Sequence, residues 1–194
     1  MISAIVMASG FSKRMKKNKL LLEIEDKTII EKMVEEIKKT KVDEIIVVYK
    51  DKEVFEKLDK YNIKTIYNEN SFKGQSESMK LGIKNASFKS SAYMFLVADQ
   101  PLLDKDTINR LIDEFNKTKK LITVPIYKDK RGIPVIFPVK YKDELLKVTG
   151  DKGGREIIKK NKENTKFVFV EEEKKGLDID DIKDYKKIIE IMKQ

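Results

Sequence analysis

The sequence predicts an α/β fold, a three-layer sandwich in which a mostly parallel sheet lies between helices on both faces. Two observations carry this expectation. Short apolar runs alternate with stretches of helical periodicity from the first residues onward. The best of those runs are apolar throughout, as strands covered on both faces are. No Gly/Ser/Pro-rich linker or shift in composition interrupts the 194 residues, so one domain over 1–194 is expected.

In order, Ile2–Met7 is an apolar run that ends in the small residues Ala8-Ser9-Gly10. From Thr28 the apolar positions Ile30, Met33, Val34 and Ile37 follow helical spacing, with Lys and Glu opposite. Glu44–Tyr49 contains Ile45-Ile46-Val47-Val48 and reads as a buried strand. A helix at Lys52–Lys60, a strand at Ile63–Tyr67 and a helix at Ser76–Ala86 follow. Tyr93–Ala98 is a further apolar strand, and Asp104 to about Thr118 is a helix with Ile108, Leu111, Ile112 and Phe115 on one face. The second half is less regular. Strands are expected at Leu121–Ile126 and Pro134–Pro138 around a turn at Asp129–Gly132, with helices near Lys142–Lys147 and Arg155–Lys160. A strand at Phe167–Val170 and a helix from about Asp181 close the chain. There is no internal repeat.

The chain has neither cysteine nor histidine. That excludes disulfides, thiolate nucleophiles, cysteine-based metal sites, Ser-His-Asp triads and imidazole acid–base catalysis. The remaining inventory is carboxylates, lysines, arginines, backbone donors and a hard metal ion, which suits phosphoryl and nucleotidyl transfer. The net charge is +9, but the 42 basic and 33 acidic residues are interspersed. A solvated surface and small polyanions such as nucleotides fit that pattern, and a nucleic-acid partner is not expected. No apolar run approaches the ~20 residues of a membrane helix. The apolar N-terminus lacks the basic flank of a signal peptide, so no membrane association and a cytoplasmic address are expected.

In an open parallel sheet, ligands bind at the carboxyl ends of the strands where the strand order reverses. Two strands end in candidate chemistry. After the first come Ala8, Ser9 and Gly10, then Ser12, Lys13, Arg14, Lys16, Lys17 and Lys19, where small residues admit a triphosphate and cations balance it. A plain strand-to-helix turn in a Lys-rich chain has the same composition, and the segment matches neither common glycine-rich phosphate motif. After Tyr93–Ala98 stands Asp99, a Mg²⁺ ligand or a turn residue before Pro101. Gly74, Gln75, Ser76 and Ser78 precede or open a helix, as a hydroxyl cap or as contacts to base and ribose. Gly150, Asp151, Gly153 and Arg155 open another, as a surface turn or an anion site. Asp178 and Asp180 share one side of an extended segment, as metal ligands or as part of the last helix's cap.

In order, these segments resemble the molybdenum cofactor cytidylyltransferase group of the molybdopterin nucleotidyltransferases, which includes hydroxylase accessory proteins. The resemblance rests on MASGFSKRMKKNKLLL (Met7 to Leu22), Gly74–Ser78, Ala98–Pro101, Arg131–Phe137, Gly150–Arg155 and Asp178–Tyr185. These six ordered matches span nearly the whole chain. It departs at Ser9, where the family's choice of CTP over GTP is associated with Ala, at Lys16 and Ala98, each Gly in the family, and at Ile133, usually polar.

The resemblance implies the Rossmann-like nucleotide-diphospho-sugar transferase fold and transfer of CMP from CTP to the terminal phosphate of molybdopterin. It places CTP in the N-terminal half, with Lys19 on the α-phosphate and Arg14 on the outer phosphates. Mg²⁺ or Mn²⁺ is implied on Asp99 with Asp178 or Asp180. The C-terminal half would take the acceptor through Arg131, Gly132, Pro134, Gly150, Asp151, Gly153 and Arg155, and a molybdenum hydroxylase would be the client. A GTP-using or small-molecule-phosphate transferase of this fold, and a non-catalytic molybdopterin chaperone, remain as alternatives.

Overall fold

A computed structural model describes residues 1–11, 15 and 18–193. The strands are β1 (Ile2–Ala8), β2 (Glu23–Ile24), β3 (Lys27–Thr28), β4 (Glu44–Tyr49), β5 (Lys64–Tyr67), β6 (Ala92–Val97), β7 (Ile122–Tyr127), β8 (Lys130–Arg131), β9 (Val135–Pro138) and β10 (Thr165–Val170). The helices are α1 (Ile29–Lys38), α2 (Lys52–Leu58), α3 (Gln75–Asn85), α4 (Lys105–Thr118), α5 (Lys142–Leu146), α6 (Arg155–Lys160) and α7 (Ile182–Met192).

The main sheet runs β10-β7-β9-β6-β1-β4-β5, with β8 paired to the outer part of β7, while β2 and β3 form a separate ribbon. β1 pairs in parallel with both β4 and β6, β4 with β5, and β10 with β7. β9 runs antiparallel to both of its neighbours, β6 and β7. The mostly parallel sheet therefore holds, with one reversed strand near its middle. The chain moves outward from β1 to β4 and β5, then returns to place β6 on the other side of β1. That reversal makes the carboxyl ends of β1 and β6 the switch point.

Side-chain alternation along β1 divides the core into two layers. Ala4, Val6 and Ala8 pack with the apolar faces of α1, α2, α4 and α7, while Ile5 and Met7 pack with α3, α5 and α6. Burying each large apolar side chain contributes about 1.5–3 kcal/mol, so the helices are held by their faces rather than by helix propensity. The ends are set by specific caps. The Glu31 carboxylate accepts from Thr28 N at 3.0 Å and from the Thr28 hydroxyl at the start of α1. Asp104 accepts from Thr107 N at 3.0 Å at the start of α4.

Helix α3 lies unusually close to the sheet. A Cβ at Gly82 would stand 2.3 Å from the Ile5 side chain, so only glycine lets the helix rest there. This approach fixes the N-terminal end of α3 over the switch point. The turn expected at Asp129–Gly132 contains the short strand β8, whose Lys130 and Arg131 pair with Tyr127 and Ile126.

Candidate active site

Two cavities open along the carboxyl edge of the sheet and share part of their walls. One, of about 550 Å³, is lined by Ser9, Gly10, Lys19, Gly74, Gln75 and Asp151, among others. The second, of about 620 Å³, is lined by Tyr127, Arg131, Gly132, Gly153, Arg155 and Asp178, among others. Met7, Gln75, Val97 and Asp99 line both. Asp99 is the only carboxylate among these shared residues.

Asp99 stands two residues beyond the end of β6, where the strand's apolar run delivers it to the switch point. Lys19 begins a short 3-10 turn, Lys19–Leu21, set by Asn18, whose side chain accepts from Leu20 N at 3.0 Å and donates to Asp51 at 2.8 Å. The turn carries the Lys19 ammonium onto Asp99 Oδ2. Lys19 Nζ also donates to the Ile179 carbonyl at 2.7 Å and lies 3.7 Å from Asp180 Oδ1. The structure thus brings Lys19, Asp99 and Asp180 together from positions 80 and 161 residues beyond Lys19.

Asp178 reaches the site by a different contact. Its Oδ1 accepts from Gln100 Nε2 at 2.6 Å. The residue as a whole is exposed, yet its carboxyl group is pushed up to about 6. Desolvation is the main cause and the neighbouring Asp99 charge the next, and these outweigh the Gln100 hydrogen bond. The last helix is capped by Asp181, which accepts from Lys183 N at 2.7 Å and Asp184 N at 3.1 Å. Capping therefore does not use the Asp178 or Asp180 carboxylates.

The fit of a metal can be judged from these oxygens. Asp99 Oδ1 is buried and has no hydrogen-bond partner among the described residues, which leaves an anionic oxygen suited to a hard cation. Asp178 and Asp180 add charge of the same sign nearby; the pKa of Asp178 is raised first by desolvation and then by the Asp99 charge. Among the described residues no three His, Cys, Asp or Glu side chains converge as a closed cage. The arrangement suits a cation shared with phosphate oxygens rather than one enclosed by protein.

The other expected residues line one cavity or the other, or neither. Ala8 is buried in the sheet, and the Ser9 hydroxyl donates to the Val48 carbonyl at 2.9 Å, so Ser9 meets the cavity as a small residue. Among the described residues nothing lies within 4 Å of a Cβ placed on Gly10, which leaves the cavity mouth open there. Ser12 and Arg14 lie outside the described residues. Ser78 accepts from Asn68 Nδ2 at 3.1 Å, and Ser76 is buried with its hydroxyl unpartnered among the described residues. Neither serine caps α3. Its first N–H groups go instead to the distant loop: Gln75 N donates to Asp151 Oδ1 at 2.9 Å and Ser76 N to the Gly150 carbonyl at 3.0 Å.

Gly150 and Asp151, expected on the acceptor side, therefore sit at the junction, and Asp151 lines the first cavity. Arg131, Gly132, Gly153 and Arg155 line the second. Pro134 is buried while its neighbours Ile133 and Val135 line that cavity. The Arg131 guanidinium lies 5.4 Å from the centre of the Phe167 ring.

Three features escaped the sequence reading. Phe11 and Phe72, 48% and 69% exposed, line the first cavity. Their position beside Gly10 and Gly74 was the available signal. The floor of the second cavity is apolar and aromatic, with Met79, Phe95, Val124, Tyr127 and Phe137. Gln100, only 3% exposed, connects Asp178 to the sheet.

The whole architecture recurs in solved proteins. A nucleotidyl transferase from Methanothermobacter superposes with a TM-score of 0.85 at 23% identity, over 98% of this chain and 97% of the other. The Rv0371c protein of Mycobacterium tuberculosis, in its complex with manganese, gives 0.83 at 22% identity over 97% and 98%. At such identities the likeness establishes the fold, the Rossmann-like fold of nucleotidyltransferases.

Two curated relatives carry the name probable molybdenum cofactor guanylyltransferase. The one from Natranaerobius thermophilus is 29% identical over 135 residues, 64% of this chain and 60% of the relative. The one from Aquifex aeolicus is 33% identical over 132 residues, 64% and 63%. The match thus spans less than two thirds of either relative's length. Residues 4–165 match the model of the MobA-like NTP transferase domain, and the chain belongs to that family. Among the described residues no helix is long and apolar enough to cross a membrane.

Proposed function

We propose that the chain transfers CMP from CTP to the terminal phosphate of molybdopterin and releases pyrophosphate. The observation that carries this reading is the pair of cavities meeting on Asp99. A transfer reaction needs two ligands side by side at one reacting centre, and this edge offers two spaces with one carboxylate between them.

The first cavity suits the nucleotide. Gly10 leaves room for phosphates at the end of β1, and Lys19 stands beside Asp99 to offset charge on the α-phosphate. The second suits a flat heterocycle that carries a phosphate. Its aromatic floor would take the ring, and Lys130, Arg131 and Arg155 stand along its wall for the anion. An oxygen of the acceptor phosphate attacks the α-phosphorus, a new P–O bond forms, and the bond to the pyrophosphate oxygen breaks. No general base is required, because a phosphate monoester with a second pKa of ~6 is largely ionised at neutral pH. That agrees with a chain that contains no histidine. Mg²⁺ or Mn²⁺ held by Asp99, with Asp178 or Asp180, would supply charge neutralisation at the phosphates. The manganese complex of the Rv0371c protein favours this metal class.

CTP is preferred here because Ser9 presents only a small surface, its hydroxyl being spent on Val48. The names of the two curated relatives favour a second reading, in which GTP replaces CTP at the same site. Product analysis decides between them. The chain is incubated with Mg²⁺, molybdopterin and each nucleoside triphosphate in turn, and the acceptor is weighed by mass spectrometry. A gain of one CMP supports the first reading, a gain of one GMP the second, and an unchanged acceptor with all four excludes both. Maturation of the cofactor for a molybdenum hydroxylase, and hence a hydroxylase as client, belongs to the same proposal.

A further inference from the structure

The segment between β10 and α7 is a strap that crosses the edge of the sheet beside the second cavity, and Gln100 is one of the side chains that hold it. The Gln100 amide nitrogen donates to Asp178 Oδ1 at 2.6 Å and lies 3.4 Å from the Gly176 carbonyl. Two further contacts fasten the same stretch: Ile179 N donates to the Asp99 carbonyl at 3.0 Å, and Lys19 Nζ to the Ile179 carbonyl at 2.7 Å. Gly176 in turn lies against the Tyr127 ring in the wall of the second cavity.

This geometry divides the Gln100 amide into two ends with different tasks. The nitrogen is committed to the strap, because a carboxylate such as Asp178 accepts and so fixes which end of the amide faces it. The oxygen, Oε1, is buried and has no hydrogen-bond partner among the described residues. Gln100 is only 3% exposed and nevertheless lines the second cavity. A buried amide oxygen is normally satisfied, and leaving one unpaired costs about 1–3 kcal/mol. Because the residue lines that cavity, a ligand donor that displaces the atoms covering Oε1 would satisfy it.

We propose that Gln100 is a specificity-determining residue of the acceptor cavity. Its amide nitrogen holds the strap, and its Oε1 accepts a hydrogen bond from an N–H or O–H group of the acceptor. The acceptor class follows: a phosphorylated heterocycle whose ring edge or side chain presents a donor, in preference to one presenting only acceptors. A site built around an unpaired acceptor rejects a ligand lacking the donor, since binding it leaves the oxygen buried and unmet.

This inference rests on the reading of the second cavity as the molybdopterin site, and the test separates the two. Molybdopterin and CTP are titrated separately into wild type, Gln100→Met and Gln100→Glu, with thermal unfolding recorded for each. Methionine keeps the length of the side chain and removes both ends of the amide. Glutamate keeps an oxygen and removes the N–H that meets Asp178. Gln100→Met should weaken molybdopterin binding about 10-fold or more, with CTP affinity within about twofold of wild type. Gln100→Glu should lose less acceptor affinity than Gln100→Met. Wild-type protein that binds no molybdopterin overturns the reading of the cavity and this inference with it. Wild-type binding with unchanged affinity in Gln100→Met overturns the inference alone. A parallel fall in CTP affinity, acceptor affinity and melting temperature in both variants makes Gln100 a purely structural residue, and that also overturns it.

Discussion

Substituting Gly74 by alanine tests how the two halves of the site are joined. Gly74 has φ 106° and ψ 176°, a region essentially confined to glycine, and occupying it with another residue costs about 1–3 kcal/mol. The added Cβ would also stand 2.5 Å from the carbonyl carbon of Gly150 and 2.8 Å from its Cα and oxygen. Those neighbours are backbone and cannot rotate away, so the 150–151 loop must move. Two hydrogen bonds cross that seam, from Ser76 N to the Gly150 carbonyl and from Gln75 N to Asp151. Each contributes about 1 kcal/mol.

The total is a loss of about 3–5 kcal/mol, which for a chain of this size lowers the melting temperature by roughly 10 °C. Gly150→Ala is the matched control. Its φ is +65°, but a Cβ there meets nothing within 4 Å among the described residues, so it should cost about 1 kcal/mol. Thermal unfolding by circular dichroism reads both. A Gly74→Ala variant melting within 2 °C of wild type, or a Gly150→Ala variant equally damaged, would refute the contact argument.

Other expectations follow from single contacts. Asp99→Asn should keep the fold and abolish metal-dependent transfer; turnover at the wild-type rate in purified variant protein would remove Asp99 from the metal site. Lys19→Ala should lower kcat by about 10²–10³-fold, more than it weakens CTP binding, and an effect confined to KM would make Lys19 a uniform binding residue. Arg155→Ala should weaken molybdopterin binding and leave CTP binding nearly intact; the reverse outcome would show that the cavities are assigned the wrong way round.

Glu31 links stability to acid. Burial raises its pKa, but hydrogen bonds from Lys60 and Thr28 outweigh this and hold it at about 2 instead of 4.5. A carboxyl depressed on folding contributes stability that is fully present above the unfolded value and is lost as pH falls through the folded one. With Lys60 largely in solvent, about 1–2 kcal/mol is expected. Denaturant titrations between pH 6 and pH 2 should show that much less acid sensitivity in Glu31→Gln, and identical slopes would contradict the assignment.

The parts of the fold visible in the sequence were those governed by local pattern. The largely apolar β1, β4 and β6 and the one-sided faces of α1 and α4 lie within a residue or two of their expected limits. The direction of β9 was not visible, because Val135–Phe137 is apolar in either orientation and the reversal is set by pairing with β6 and β7. The ribbon of β2 and β3 is too short to produce an alternation. At the candidate site, the strand-end position of Asp99 was legible, and its contact with Lys19 was not. The capping of α3 by Asp151 was not, since it joins residues 76 apart through a glycine contact. Gln100 was hidden for the same reason, its role depending on a strap 76 to 78 residues further along the chain.

If Asp99 lies between a nucleotide and a phosphorylated acceptor in adjoining cavities, turnover needs both ligands at once. Pyrophosphate release from CTP with Mg²⁺, measured with and without molybdopterin in wild type and Asp99→Asn, tests it most directly. Release is expected only when wild-type protein, metal and molybdopterin are all present, with one pyrophosphate formed per acceptor modified. Release that ignores the acceptor, or that survives in Asp99→Asn, would contradict it.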